Sequence, residues 1–291
     1  MSEELELLRE AARELDAPLP VVERLDFSDV SMLRWGLGVP RLVFLHGGGQ
    51  NAHTWDSVLL ILGRAALAVD LPGHGHSARR ADHDYWPWQN ARTLAPVVIG
   101  HDSVLLVGMS LGGLTAIRLA ARRPDRIAGL VVVDVTPDVS LRMPTLTPTQ
   151  RGSTALVDGV GSFATREEMV ELAVRASPRR PAAAVRRGVL HNTRRRDDGR
   201  WEWRYDLGGH PAPDFTPLWD DVGRLRMPTL LVRGGESAFV SDDDEETFVR
   251  TAPNARAITM AGAGHAVQSD KPRELAQIVD EFFRSSAQSH V

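Results

Sequence analysis

The stretch VLLVGMSLGG places Ser110 between Gly108 and Gly112, where an apolar run stops and a helical pattern starts. A serine at such a junction sits in a tight, strained turn. Glycines on either side omit the side chains that would collide there. The turn lifts the hydroxyl to the carboxyl edge of a sheet. The first N–H groups of the next helix, and the positive end of its dipole, aim at the same spot. This setting suits a nucleophile whose attack creates an oxyanion. The competing reading is a serine that merely starts a helix.

An oxyanion needs a second donor, and FLHGGGQNAHTW offers one after another apolar run. The expected pair is the N–H of Leu111 with that of Gly48, and Gly47 or Gly49 could replace Gly48. No Lys-Ser/Thr follows these glycines, and they do not match a dinucleotide fingerprint. A serine hydroxyl also needs a base. Of the ten histidines, His265 lies in MAGAGHAVQSDKP, between the last strand pattern and the last helix, on the same sheet edge. His74 and His76 in DLPGHGHS read as a structured loop bordering the cleft, and His46 as a residue that holds its own loop. His191, His210 and His290 read as surface or lobe residues. No His/Asp cluster stands out at ligand spacing, so no metal and no other cofactor is expected.

These residues are far apart in sequence, and only a fold can join them. The chain has 291 residues, 43% of them hydrophobic, enough for one large core and a small lobe. Continuously apolar runs such as LLVGM and LVVVD fit parallel strands covered on both faces. They alternate with helical patterns, which predicts an α/β fold: a mostly parallel sheet flanked by helices. The rhythm breaks at about Pro137, and to about Phe215 the chain is rich in Arg, Pro and Thr. The expected division is a helical extension over residues 1–20, a core over 21–137 and 216–291, and an inserted helical cap over 138–215. The opening helix has two destinations: the body, or a second copy in a homodimer.

The formal charge of −4 gives no footprint for nucleic acid. Cysteine is absent, which fits the cytoplasm. The acidic start is no secretory signal, and no apolar run approaches the ~20 residues of a membrane span. Lys271 is the only lysine; all other basic residues besides histidine are arginine. The clusters Arg179-Arg180, Arg186-Arg187 and Arg194-Arg195-Arg196 read as a solvated face, with steering of an anionic substrate as the sharper alternative.

HGGG, DLPGHGHS, GMSLGG and GAGH occur in the order and spacing of the α/β-hydrolase superfamily, which the chain resembles from about Leu42 to Phe283. The resemblance implies a Ser–acid–His triad in that chain order. The acid's usual place, aligned on Gly234 in VRGGESAFVSDDD, holds Ser237, with Glu236 one position early. A subgroup of bacterial esterases with mitochondrial relatives is similar here. Its acid follows the strand after the elbow, in a D-x-x-P turn, and serine occupies the usual acid site. Asp134 to Pro137 has that form. The resemblance therefore implies that Asp134 orients His265, with Ser237 as an auxiliary hydrogen-bonding partner. Glu236 is the alternative acid, and turn duty the remaining reading of Asp134.

The implied activity is cleavage of carboxylic esters of small to medium apolar acids through an acyl-enzyme, with a small-molecule ester as partner. Carbon–carbon, lactone and thioester hydrolysis use the same triad, and the fold also serves non-catalytic ligand binding. Trp55, Trp86, Trp88 and Trp203 are candidates for a substrate pocket. The competing reading has these rings anchoring the lobe.

Overall fold

A strand that is apolar at every position needs cover on both faces, and the strands of this chain receive it. The structure, a computed structural model, describes residues 3–100, 103–151, 161–206 and 212–288. His210 and His290 lie outside the described residues. Among the described residues ten strands follow one another: β1 (Val22–Phe27), β2 (Val30–Trp35), β3 (Leu42–Leu45), β4 (Ala66–Val69), β5 (Val104–Met109), β6 (Ile127–Val133), β7 (Thr193–Arg195), β8 (Trp201–Trp203), β9 (Thr229–Gly234) and β10 (Ala255–Met260). Eight form one sheet in the order β1-β2-β4-β3-β5-β6-β9-β10, and β7 pairs with β8 apart from it. From β4 to β10 neighbouring strands are parallel; β2 joins β4, and β1 joins β2, antiparallel.

Strand geometry turns successive side chains to opposite faces, and the core follows that period. Val104 and Leu106 of β5 enter the apolar cluster that holds the helices Pro87–Ile99, Leu111–Arg122 and Asp242–Thr251. Leu105, Val107 and Met109 enter the opposite cluster, with the helices Glu3–Leu15, Asp56–Leu62 and Pro272–Gln288. The opening helix packs on the body: Leu7, Leu8, Ala11 and Ala12 are buried, and it meets the helices Asp56–Leu62 and Ala182–His191. Between β6 and β9 no described residue joins the large sheet. The helices Arg166–Arg175 and Ala182–His191 and the β7–β8 hairpin share a small cluster of Phe163, Met169, Ala173, Val185 and Val189. Among the described residues no helix is long and apolar enough to cross a membrane.

Register sets the geometry of the sheet's carboxyl edge. Met109 pairs with Val133, so Ser110 and Asp134 leave neighbouring strands side by side. The Ser110 N–H donates to the Val133 carbonyl, and the Asp134 N–H to Val232 of β9. Gly234 pairs with Met260, after which β10 leads into the loop of His265.

Candidate active site

Ser110 adopts φ 50° and ψ −120°, a conformation that L-residues avoid. The sequence pays that strain with close packing around it. A Cβ on Gly112 would lie 2.4 Å from the Leu45 carbonyl oxygen, and one on Gly108 2.3 Å from the Gly112 carbonyl oxygen. Only glycines let strand and helix meet this closely.

The Ser110 hydroxyl and His265 Nε2 are 3.2 Å apart, and His265 Nδ1 lies 2.7 Å from Asp134 Oδ2. A proton on Nδ1, facing the carboxylate, leaves Nε2 to accept from the hydroxyl. Asp134 is fully buried and itself has a positive φ of 51°. Its Oδ1 accepts from the Gly234 N–H at 2.8 Å, and its Oδ2 also accepts from the Ser237 hydroxyl. The buried carboxylate thus has three donors, as a charge out of water requires. Glu236 points elsewhere: it is exposed and ion-paired with Arg179 at 2.6 Å. Phe239, which nothing in the sequence pattern singles out, stacks on the His265 ring.

The three loop glycines differ in what their N–H groups do. That of Gly47 donates to Gln50 Oε1 at 3.0 Å, and that of Gly49 to His74 Nε2 at 3.1 Å. For Gly48 no acceptor occurs among the described residues, and of the three it is the only one not buried. His46 donates from Nδ1 to the Gly47 carbonyl and accepts from the Leu71 N–H at Nε2. That bond fixes the Gly47–Gly48 peptide, so the Gly48 N–H points the other way. Burial pushes His46 down to about 3 and also lowers His74, which keeps both rings neutral as these bonds demand. The Leu111 N–H opens its helix and has no partner within it. A further support comes from Asn192, which sequence reasoning missed: its Nδ2 donates to the Gly49 carbonyl at 2.7 Å.

His191, expected on the surface or in the lobe, is buried at the end of the helix Ala182–His191. It stacks on His53, with ring centroids 3.5 Å apart. His53, Asp56 and His191 bring ligand-type atoms within 4.8 Å of one another. Both nitrogens of His53 are engaged, by Asp56 at 2.9 Å and Glu4 at 2.8 Å. Burial opposes charge on His53, but Asp56 and Glu4 overcome it and push it up to about 9. Neither ring nitrogen of His53 is free, since Asp56 and Glu4 take one each. The group reads as an ion-pair network.

The four tryptophans divide. Trp55 is wholly buried against Phe44, 5.2 Å between ring centroids. Trp86 and Trp88 pack on Phe215, at 5.8 and 6.0 Å. These three rings pack on core side chains. Trp203 alone lines the cavity that runs from Gly48 between the body and the Ala182–His191 helix, together with Asn192, Arg180 and Gln268. The lining mixes apolar side chains such as Ala173, Val185 and Val189 with polar ones such as Asn51 and Ser177.

A model of the alpha/beta hydrolase family matches residues 42–278. Esterase Rv0045c of Mycobacterium tuberculosis (strain ATCC 25618 / H37Rv) is 51% identical over 282 residues, covering 95% of this chain and 94% of that protein. The sn-1-specific diacylglycerol lipase ABHD11 of Mus musculus is 30% identical over 285 residues, 91% of this chain and 85% of that protein. A solved structure of the M. tuberculosis esterase matches with a TM-score of 0.87 at 50% identity, over 97% of this chain and 99% of that one.

Proposed function

From the premise that this chain belongs to the alpha/beta hydrolase family, we propose that it is a carboxylic ester hydrolase working through a serine acyl-enzyme. The observation that carries the reading is the unbroken hydrogen-bonded line from the Ser110 hydroxyl through His265 to the buried Asp134 carboxylate. Ser110 attacks the ester carbonyl as His265 Nε2 takes its proton. Asp134 holds the ring in the required tautomer and stabilises its charge. The N–H groups of Gly48 and Leu111 receive the oxyanion. His265 then gives the proton to the leaving alcohol, and water repeats the sequence on the acyl-enzyme. Ser237 acts through Asp134.

Residues 138–215 serve as a cap over the cleft, residues 1–20, whose helix Glu3–Leu15 packs on the body, as an extension, and the remainder as the core. The cavity beside Gly48 takes one side of a small to medium ester. The names of both relatives given above, an esterase and a lipase, support an ester substrate.

The test is a panel of p-nitrophenyl esters, a thioester and a lactone, assayed with the parent and with Ser110→Ala. Esters should turn over fastest, Ser110→Ala should lose at least ~10³-fold in kcat, and a fluorophosphonate should label Ser110. Retained turnover in Ser110→Ala removes serine catalysis. Preference for the thioester or lactone moves the assignment within the family.

A further inference from the structure

The His265 ring is held at its two nitrogens and also covered on one face. Phe239 lies flat against it, with ring centroids 3.6 Å apart and an interplanar angle of 12°. Phe239 is 1% exposed and belongs to a main core cluster, so its ring has no freedom to leave. Its N–H donates to Ser237 Oγ at 3.1 Å, while the Ser237 hydroxyl donates to Asp134. The end of β9 and the turn after it therefore grip the proposed acid through Gly234 and Ser237, and the proposed base through Phe239.

An aromatic face carries a negative quadrupole. It attracts a cation over it more strongly than a neutral ring, most of all where water is excluded. In the proposed cycle His265 is neutral at rest and cationic in both transition states. A contact that strengthens on the way to the transition state accelerates the reaction. We propose that Phe239 is a positioning residue whose aromatic face holds the His265 ring and stabilises its imidazolium form during acyl transfer. The inference rests on the reading of His265 as the general base.

The charged groups around the ring are known. Asp134 faces it from the end of β6. Asp270 binds the Gly264 N–H and lies 3.6 Å from Arg180, and the exposed Arg179, paired with Glu236, lays its guanidinium against Gly264, next to His265 in the chain. A change confined to the electrons of the Phe239 ring alters none of them. Replacing Phe239 by 4-fluoro-, 3,5-difluoro- and pentafluorophenylalanine makes that change at nearly constant shape.

Profiles of kcat and of kcat/KM against pH with a p-nitrophenyl ester should then show both falling stepwise, roughly three- to tenfold at the pentafluoro ring. The acid limb should move to lower pH with each step. Phe239→Leu should lose at least as much, and Phe239→Tyr, which keeps the face, should recover most of it. A purely structural role would make losses follow the melting temperature and leave the acid limb in place. An unmoved limb and constant kcat across the fluorinated series overturn the proposal. Ser110→Ala and His265→Ala run alongside: turnover retained by either defeats the underlying reading, whereas their inactivity with a flat fluorinated series defeats this inference alone.

Discussion

Two carboxylates compete for one imidazole in the sequence, and their surroundings separate them. Asp134 is buried with three donors aimed at it, while Glu236 stands in solvent beside Arg179. Asp134→Asn keeps the size of the side chain but lets an amide face Nδ1, which permits the wrong tautomer. A loss on the order of 10⁴-fold in kcat is expected, against a change within about twofold for Glu236→Gln. Steady-state kinetics on one ester decide between them, and a larger loss in Glu236→Gln would reverse the assignment. Ser237→Ala removes one charge-assisted bond to Asp134, and kcat should fall about tenfold with KM little altered. The chemistry of these residues was legible in sequence because elbow serine, base and loop glycines sit in recognisable strand-to-loop contexts. Phe239 was not: before a helix, AFV reads as ordinary core, and only the fold reveals which ring it covers.

At the scale of elements, the oxyanion loop is fastened from outside the sheet. Asn192, at the end of the Ala182–His191 helix, holds the Gly49 carbonyl, and its own Oδ1 lies 3.2 Å from Asn51 Nδ2. The Gly75 N–H donates to the Arg204 carbonyl, and the Asp206 N–H to that of Gly73, so the β7–β8 hairpin also ties down the neighbouring loop. Asn192→Ala should let Gly48 drift from its aim, lowering kcat about tenfold with KM within about threefold. A rise in KM at constant kcat would instead make Asn192 a substrate contact. This coupling was invisible in sequence, because it joins residues 49 and 192 through a single side chain. The strands are unequally legible for a related reason. The runs of β5 and β6 announce themselves by being buried throughout. β1 is largely exposed and the Thr193–Arg195 strand is polar, so neither carries an apolar signature. The tryptophans show the same limit: a ring's residue type does not say whether it faces a cavity or the core.

Across the whole molecule, buried histidines of opposite character bound the pH range of stability. His46 is held neutral by burial, down to about 3 from an ordinary 6.5. The unfolded chain therefore binds more protons below 6.5, and the contribution of His46 is lost as pH falls from there toward 3. Burial lowers His74 in the same direction, and burial with the nearby His53 charge lowers His191. His53 runs the other way. Its charge, shared with Asp56 and Glu4, persists up to about 9. Its contribution is complete below 6.5 and lost as pH rises through 9, at about 1.4 kcal/mol for each unit of displacement. Glu4 carries this into the architecture, because it sits on the opening helix and also binds Arg24, which pairs with Asp70 at 2.9 Å. Asp70 in turn accepts from the Ala52 N–H, just beyond the oxyanion loop. Urea unfolding from pH 5 to 9.5 should give a maximum near 6.5, with a decline on both sides. His53→Gln should lower stability at pH 7 and flatten the alkaline decline, since no proton is then left to lose there. A parent protein equally stable at pH 7 and 9.5, or an alkaline decline undiminished in His53→Gln, would remove His53 as its source.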